Sequence, residues 1–218
     1  MKQMKFIFFD LDNTLYDSKQ YFHNSFRQIS SRLATNMSLN EREVFAKLKS
    51  TWEKRTSMYP SLFDEALSDY EIDVNQIVRW FNSCEVKLKP YDGVIECLEY
   101  FKSKKFKMGI VTDGNKSRQL RKLKALKLLP FFTHVVYTDD FKPKPSREPF
   151  YEIMSLFNCI GAESIYVGDN PLLDFPGSKS VGMTTVRIRQ GEFSKLGDTN
   201  NIDYSFDSFK DFLNTVYA

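Results

Sequence analysis

The spacing of apolar residues along this chain changes period twice. Residues 5–9 read KFIFF, a short continuous apolar run behind one lysine. Such a run predicts a strand buried on both faces of a parallel sheet. From about residue 17 to 89 the period becomes helical. Phe22, Phe26, Ile29 and Leu33 recur at spacings of three and four, followed by Leu48 and Trp52, then Ile77, Phe81 and Cys84. Three or four helices and no strand are expected there. The run Pro90-Tyr91-Asp92-Gly93 punctuates the chain. Beyond it, strands and helices alternate: helix 93–103, strand 107–111, helix 116–127, strand 134–137, helix 148–157, strand 164–167, strand 184–188 and helix 208–216.

Alternation of this kind predicts an α/β fold, with helices on both faces of a parallel sheet and right-handed crossovers. The expected architecture is a Rossmann-like doubly wound core, residues 1–16 and 90–218, interrupted by an inserted helical cap domain, residues 17–89.

Ligands of open parallel sheets bind beyond the carboxyl ends of the strands. The residues following each predicted strand are therefore the ones to inventory. Asp10, Asp12 and Thr14 follow the first; Thr112, Asp113, Gly114 and Asn115 the second. Thr138-Asp139-Asp140-Phe141-Lys142-Pro143 follows the third, and Gly168, Asp169, Asn170 and then Asp174 the fourth. Carboxylates gathered without histidine or cysteine make a hard-oxygen site, and Mg²⁺ is the fitting cation. A lysine and a threonine hydroxyl would face the remaining oxygens of a phosphate. One aspartate could attack phosphorus, and a second, two residues on, could serve as acid and then base.

The segments Asp10-Leu11-Asp12-Asn13-Thr14, Val111-Thr112-Asp113-Gly114, Lys142-Pro143 and Gly168-Asp169-Asn170-Pro171-Leu172-Leu173-Asp174 resemble, in order, the four motifs of the haloacid dehalogenase-like superfamily. The resemblance implies roles. Asp10 is the expected nucleophile, forming an aspartyl-phosphate and binding Mg²⁺; Asp12 is the general acid/base, with its backbone carbonyl on the metal. Thr112 holds the transferring phosphoryl group, with Asp113 beside it in substrate binding. Lys142 balances charge on Asp10 and the phosphate, chosen over Lys144 because it precedes a Pro-x-Pro pattern. Asp169 binds the metal, and Asp174 supports. Asn13 stands where many relatives carry glycine. Asp12 separates the chain from the metal-free dehalogenases, which lack that acid. The implied enzyme is a Mg²⁺-dependent phosphatase of a small phosphorylated metabolite, a sugar phosphate or a nucleotide, with the helical insert choosing the substrate. A phosphomutase using the same residues, or a binding module without turnover, is the alternative.

Composition adds limits. The chain has 218 residues, 42% hydrophobic and 27% charged, which reads as soluble and globular. A net charge of +3 gives no reason to expect nucleic acid as a partner. The basic stretch 116–127 carries Leu120, Leu123 and Leu126 and reads as a helix with a solvated face. Cys84, Cys97 and Cys159 lack paired spacing, and with only His23 and His134 besides, no zinc site is expected. No apolar run approaches a membrane span and no signal peptide is read, so the cytoplasm is the expected compartment. Monomer and homodimer stay open. Tyr21, Trp52, Tyr59, Phe63 and Trp80 are expected chiefly to pack helices together.

Overall fold

A computed structural model describes residues 4–217; residues 1–3 of the expected core, and Ala218, lie outside the described residues. The chain forms two compact units. One is Lys19–Lys87; the other comprises the chain up to Ser18 and from Leu88 onward.

The Lys19–Lys87 unit is helical: α1 (Lys19–Met37), α2 (Glu41–Arg55), α3 (Leu62–Ala66) and α4 (Val74–Ser83). Local chemistry starts two of these helices. Asn40 caps α2, its Oδ1 accepting from the backbone N–H of Arg42 and Glu43, and Asp73 caps α4 through the N–H of Asn75. The apolar faces meet around rings. Phe22 stacks on Trp52 with centroids 5.2 Å apart, and Tyr21 and Phe63 meet Phe81 edge-on at 5.2 and 5.3 Å. Tyr21, Trp52 and Phe63 are buried, whereas Tyr59 and Trp80 are half-buried beneath the guanidinium groups of Arg55 and Arg32.

The second unit carries β1 (Phe6–Phe9), β2 (Lys107–Thr112), β3 (His134–Tyr137), β4 (Ser164–Gly168), β5 (Thr184–Ile188) and β6 (Tyr204–Phe206). All pair in parallel, in the order β3-β2-β1-β4-β5-β6. Five helices accompany them: α5 (Val94–Ser103), α6 (Lys116–Ala125), α7 (Glu148–Phe157), α8 (Asp174–Ser180) and α9 (Phe209–Tyr217). The central position of β1 follows from its sequence, since all four of its side chains are buried and a middle strand must be apolar on both faces. Phe6 and Phe8 join Phe150, Ile153 and Phe157 of α7 and Tyr166 of β4 in one core; Phe9 points the other way, edge-on to Phe132 at 6.1 Å. Each such side chain contributes about 1.5–3 kcal/mol by leaving water.

The element pattern read from sequence recurs here, with two additions. β6 spans three residues, and α8, DFPGSKS, contains Pro and Gly, so neither carries enough periodic residues to register as a pattern. The strand order runs outward from β1 to β2 and β3, then reverses to β4 on the other flank. That reversal makes the carboxyl ends of β1 and β4 the switch point where open sheets form their crevice. Asp10 follows β1 and Asp169 follows β4. Among the described residues, no helix is long and apolar enough to cross a membrane.

Candidate active site

Asp10, Asp169 and Asp174 each bring a carboxylate oxygen to one place, all within 4.8 Å of one another, and all three residues are buried. The backbone N–H of Asp10 donates to the carbonyl of Val167 at 2.9 Å, so the β1–β4 pairing carries on to the site itself. The chain then turns. Asn13 has φ +61°, the left-handed region that asparagine and glycine tolerate best, which accounts for asparagine in a glycine-like place. Its Oδ1 accepts from the N–H of Ser18, and the turn returns Thr14 inward. The Thr14 hydroxyl lies 3.2 Å from Asp10 Oδ2 and 3.1 Å from Asp169 Oδ1, and donates to one of them at a time.

The lysine of this cluster is Lys144. Its Nζ donates to Asp10 Oδ1 at 2.6 Å and to Asp174 Oδ1 at 2.7 Å, with Tyr166 Oη at 3.3 Å. Lys142, the residue expected from sequence, points away: its side chain is 80% exposed and its nearest acid is Glu148, 3.9 Å off. The correction has a local cause. After β3 the chain makes a short 3-10 turn, Thr138–Asp140. Asp113 Oδ1 then accepts from the Thr138 hydroxyl at 2.9 Å and from the Lys144 backbone N–H at 3.2 Å. Anchoring the backbone at residue 144 aims that side chain inward. Asp113 Oδ1 thus braces the loop that delivers the lysine. Asn115 caps α6 through the N–H of Arg118.

Asp174 also braces. Its Oδ2 accepts from the backbone N–H groups of Asp169 and Asn170 at 3.1 and 2.9 Å, and its Oδ1 from Lys144 and the Tyr166 hydroxyl. Gly168 permits this closeness, since a Cβ there would stand 2.6 Å from the Asp174 carboxyl carbon. Behind the loop, the fully buried Arg187 donates from Nε to the Asp169 carbonyl at 2.9 Å.

Asp12 lies in different surroundings. Lys122 Nζ donates to both of its oxygens, at 2.7 and 2.8 Å. Gln119 Nε2 donates to Oδ2 at 2.7 Å, and the Tyr16 hydroxyl donates to Oδ1. The same Gln119 nitrogen lies 2.7 Å from the hydroxyl of Thr112 at the end of β2. Gln119 and Lys122 are the residues sequence reading missed. Both sit on α6, in a stretch read as solvated, yet they are buried on the face that also carries Leu123 and Leu126. The available signal was position: they fall on the apolar stripe of the helix that starts right after the Thr112 strand end.

Electrostatics separates the two aspartates. Burial raises the Asp10 carboxyl, Lys144 pulls it down and Asp174 pushes it up again, leaving it at about 7 rather than the ordinary 3.8. Burial, Asp174 and Asp10 hold Asp169 well above its ordinary value. Burial would lower Lys144, but Asp10 and Asp174 outweigh it and keep the ammonium charged. Burial would also raise Asp12; Lys122, Gln119 and Tyr16 overcome that and hold it below its ordinary value. Burial lowers Lys122 to about 8 despite its partner.

The donor set fits a hard divalent cation. Lys144 pairs with two of the three buried carboxylates, so the cluster, once all three are ionised, carries more negative charge than one ammonium offsets. Asp169 Oδ2 is buried and has no hydrogen-bond partner among the described residues. An orphaned carboxylate oxygen in such a site is a vacant ligand for an oxygen-preferring ion.

A doubly wound sheet with buried acids and an ammonium at its switch point describes an α/β enzyme with an oxygen-ligand centre. The chain belongs to the haloacid dehalogenase-like hydrolase family, whose model matches residues 7–188. It is 29% identical to a glyceraldehyde 3-phosphate phosphatase of Methanocaldococcus jannaschii, over 98% of this chain and 97% of that one. It is 29% identical to the pyrophosphatase PpaX of Bacillus pumilus, over 75% of this chain and 74% of that one. Among solved structures it resembles the HAD phosphatase from Thermococcus onnurineus, with TM-score 0.70 and 26% identity over 98% of each chain.

Proposed function

We propose that this hydrolase is a Mg²⁺-dependent phosphatase of a small phosphorylated metabolite, working through an aspartyl-phosphate on Asp10. The observation that carries the reading is the buried Asp10 carboxylate, gripped by Lys144 and Thr14 beside the orphaned oxygen of Asp169. In the first half-reaction an Asp10 oxygen forms a bond to phosphorus while the bond to the leaving oxygen breaks, and that oxygen takes a proton from Asp12. In the second, water attacks the aspartyl-phosphate, gives its proton to Asp12 and frees both phosphate and Asp10. Asp12 is held below its ordinary value before substrate arrives; the negative charge of an incoming phosphate favours its protonation, and the proton it passes to the leaving oxygen comes from solvent. Lys144, in the role expected of Lys142, and the Thr112 hydroxyl face the phosphoryl oxygens. Asp10, Asp169 and the Asp12 carbonyl are the groups that would hold Mg²⁺, which supplies positive charge against the phosphoryl oxygens.

The 17–89 insert is assigned to substrate choice as a cap. A three-carbon sugar phosphate, the substrate class in the name of the Methanocaldococcus relative, heads the candidates, with pyrophosphate next. Three free cysteines suit a reducing, cytoplasmic compartment. The test is phosphate release from a panel of sugar phosphates, nucleotides, pyrophosphate and aryl phosphates, with Mg²⁺ and with chelator. Release that stops on chelation is the expected result; release from no compound, or release indifferent to chelation, contradicts the reading.

A further inference from the structure

Two α6 side chains for which the chemistry above has no role converge on Asp12. Lys122 donates to both carboxylate oxygens, and its side chain is only 4% exposed. Burying an ammonium is costly, so a buried lysine that grips both oxygens of one carboxylate calls for a reason. Gln119 is fully buried, and its Nε2 lies 2.7 Å from Asp12 Oδ2, 2.7 Å from the Thr112 hydroxyl and 2.9 Å from the Asp113 carbonyl. Those acceptors fix the amide orientation: the nitrogen must face them, which leaves Gln119 Oε1 buried without a partner among the described residues. Accepting that loss makes sense if what the nitrogen holds matters more.

What it holds is a registration. One amide nitrogen bonds both the carboxylate expected to move the proton and the hydroxyl expected to meet the phosphoryl group. An aspartate side chain has several staggered rotamers open to it. A general acid must lie within hydrogen-bond reach of the oxygen it protonates, and a misplacement of about 1 Å costs on the order of 100-fold. Lys122 fixes the carboxylate's outward swing and Gln119 sets its distance from Thr112.

We infer that Gln119 and Lys122 are positioning residues that lock the Asp12 carboxylate beside Thr112, where it can meet the leaving oxygen of a phosphate ester. The inference rests on the phosphatase reading. It also separates positioning from mere structure, because a good leaving group needs no proton. The 4-nitrophenolate anion departs unassisted; the alkoxide of glycerol 3-phosphate does not.

The test compares kcat/KM for glycerol 3-phosphate and 4-nitrophenyl phosphate in wild type, Gln119→Leu, Lys122→Met and Lys122→Arg, all with Mg²⁺. The expected result is a loss of about 100-fold on the alkyl ester and less than about tenfold on the aryl ester, with part of the alkyl activity restored in Lys122→Arg. Thermal melting checks each fold, and Gln119→Leu, which removes no charge, carries the test should Lys122→Met unfold. Equal losses on the two esters, or no loss on the alkyl ester, overturn the inference alone. Wild-type protein inert toward both esters and toward the whole panel above overturns the phosphatase reading with it, and wild-type turnover of aryl phosphates but of no alkyl phosphate in that panel removes the acid role of Asp12.

Discussion

Asp10 and Asp12 are the same residue type two positions apart at the end of one strand, yet their surroundings drive them in opposite directions. Asp10 faces two more buried carboxylates and one ammonium, and burial wins: it is pushed up to about 7. Asp12 faces Lys122, Gln119 and the Tyr16 hydroxyl, and these donors outweigh burial. The Asp10 side is short of positive charge and the Asp12 side is supplied with it. Sites that run acid and base chemistry with like residues commonly separate them by environment in this way. On the proposed mechanism the first aspartate would receive a cation and a phosphate, while the second is held by three donors.

The largest effect that can break this comparison belongs to the lysines. Lys144→Met should lower kcat/KM by on the order of 10³-fold, since it removes the only ammonium bonded to Asp10 among the described residues. It should also destabilise the protein by about 3–5 kcal/mol, because two buried carboxylates lose their partner. Lys142→Met, at an exposed side chain, should stay within about twofold of wild type in activity. Steady-state kinetics and melting of the two variants side by side decide it; the reverse ranking would restore Lys142 to the site.

A smaller effect sharpens the comparison by sign. Asp169 has a folded-state pKa above its ordinary value, so its ionised form costs stability once the pH passes the unfolded value near 3.9. Asp12 is depressed, so its contribution is present above that value and lost as pH falls through the folded pKa. At pH 7 without metal, Asp169→Asn should therefore raise the melting temperature and Asp12→Asn should lower it. Mg²⁺ at about 100 times its Kd should raise wild-type melting by roughly 5–10 °C. That shift should vanish in Asp169→Asn. Calorimetric scans with and without Mg²⁺ check all of these signs, and an undiminished metal shift in Asp169→Asn would remove that residue from the cation's ligands.

Much of this architecture is legible in the sequence because it follows from periodicity. A four-residue apolar strand, FIFF, has to sit mid-sheet, and acids at consecutive strand ends then have to share an edge. Asp10, Thr14 and Asp169 meet for that reason. The choice between Lys142 and Lys144 was not legible, because both precede a proline and the deciding bond runs from Asp113 to the backbone of residue 144. That contact joins residues 31 positions apart and leaves no local pattern. Gln119 and Lys122 were obscured by their neighbours: in a helix with Lys116, Arg118, Arg121 and Lys124, one more lysine reads as solvated. Only the tertiary position of α6 turns that face toward Asp12.

Asp10 itself offers the most direct test. Phosphate release by Asp10→Asn, with Mg²⁺ and the best substrate of the panel, should be compared with wild type alongside melting curves for both. The account predicts a folded protein with turnover reduced on the order of 10⁴-fold or more. A folded Asp10→Asn protein that keeps turning over would show that the carboxylate at the end of β1 is not the nucleophile.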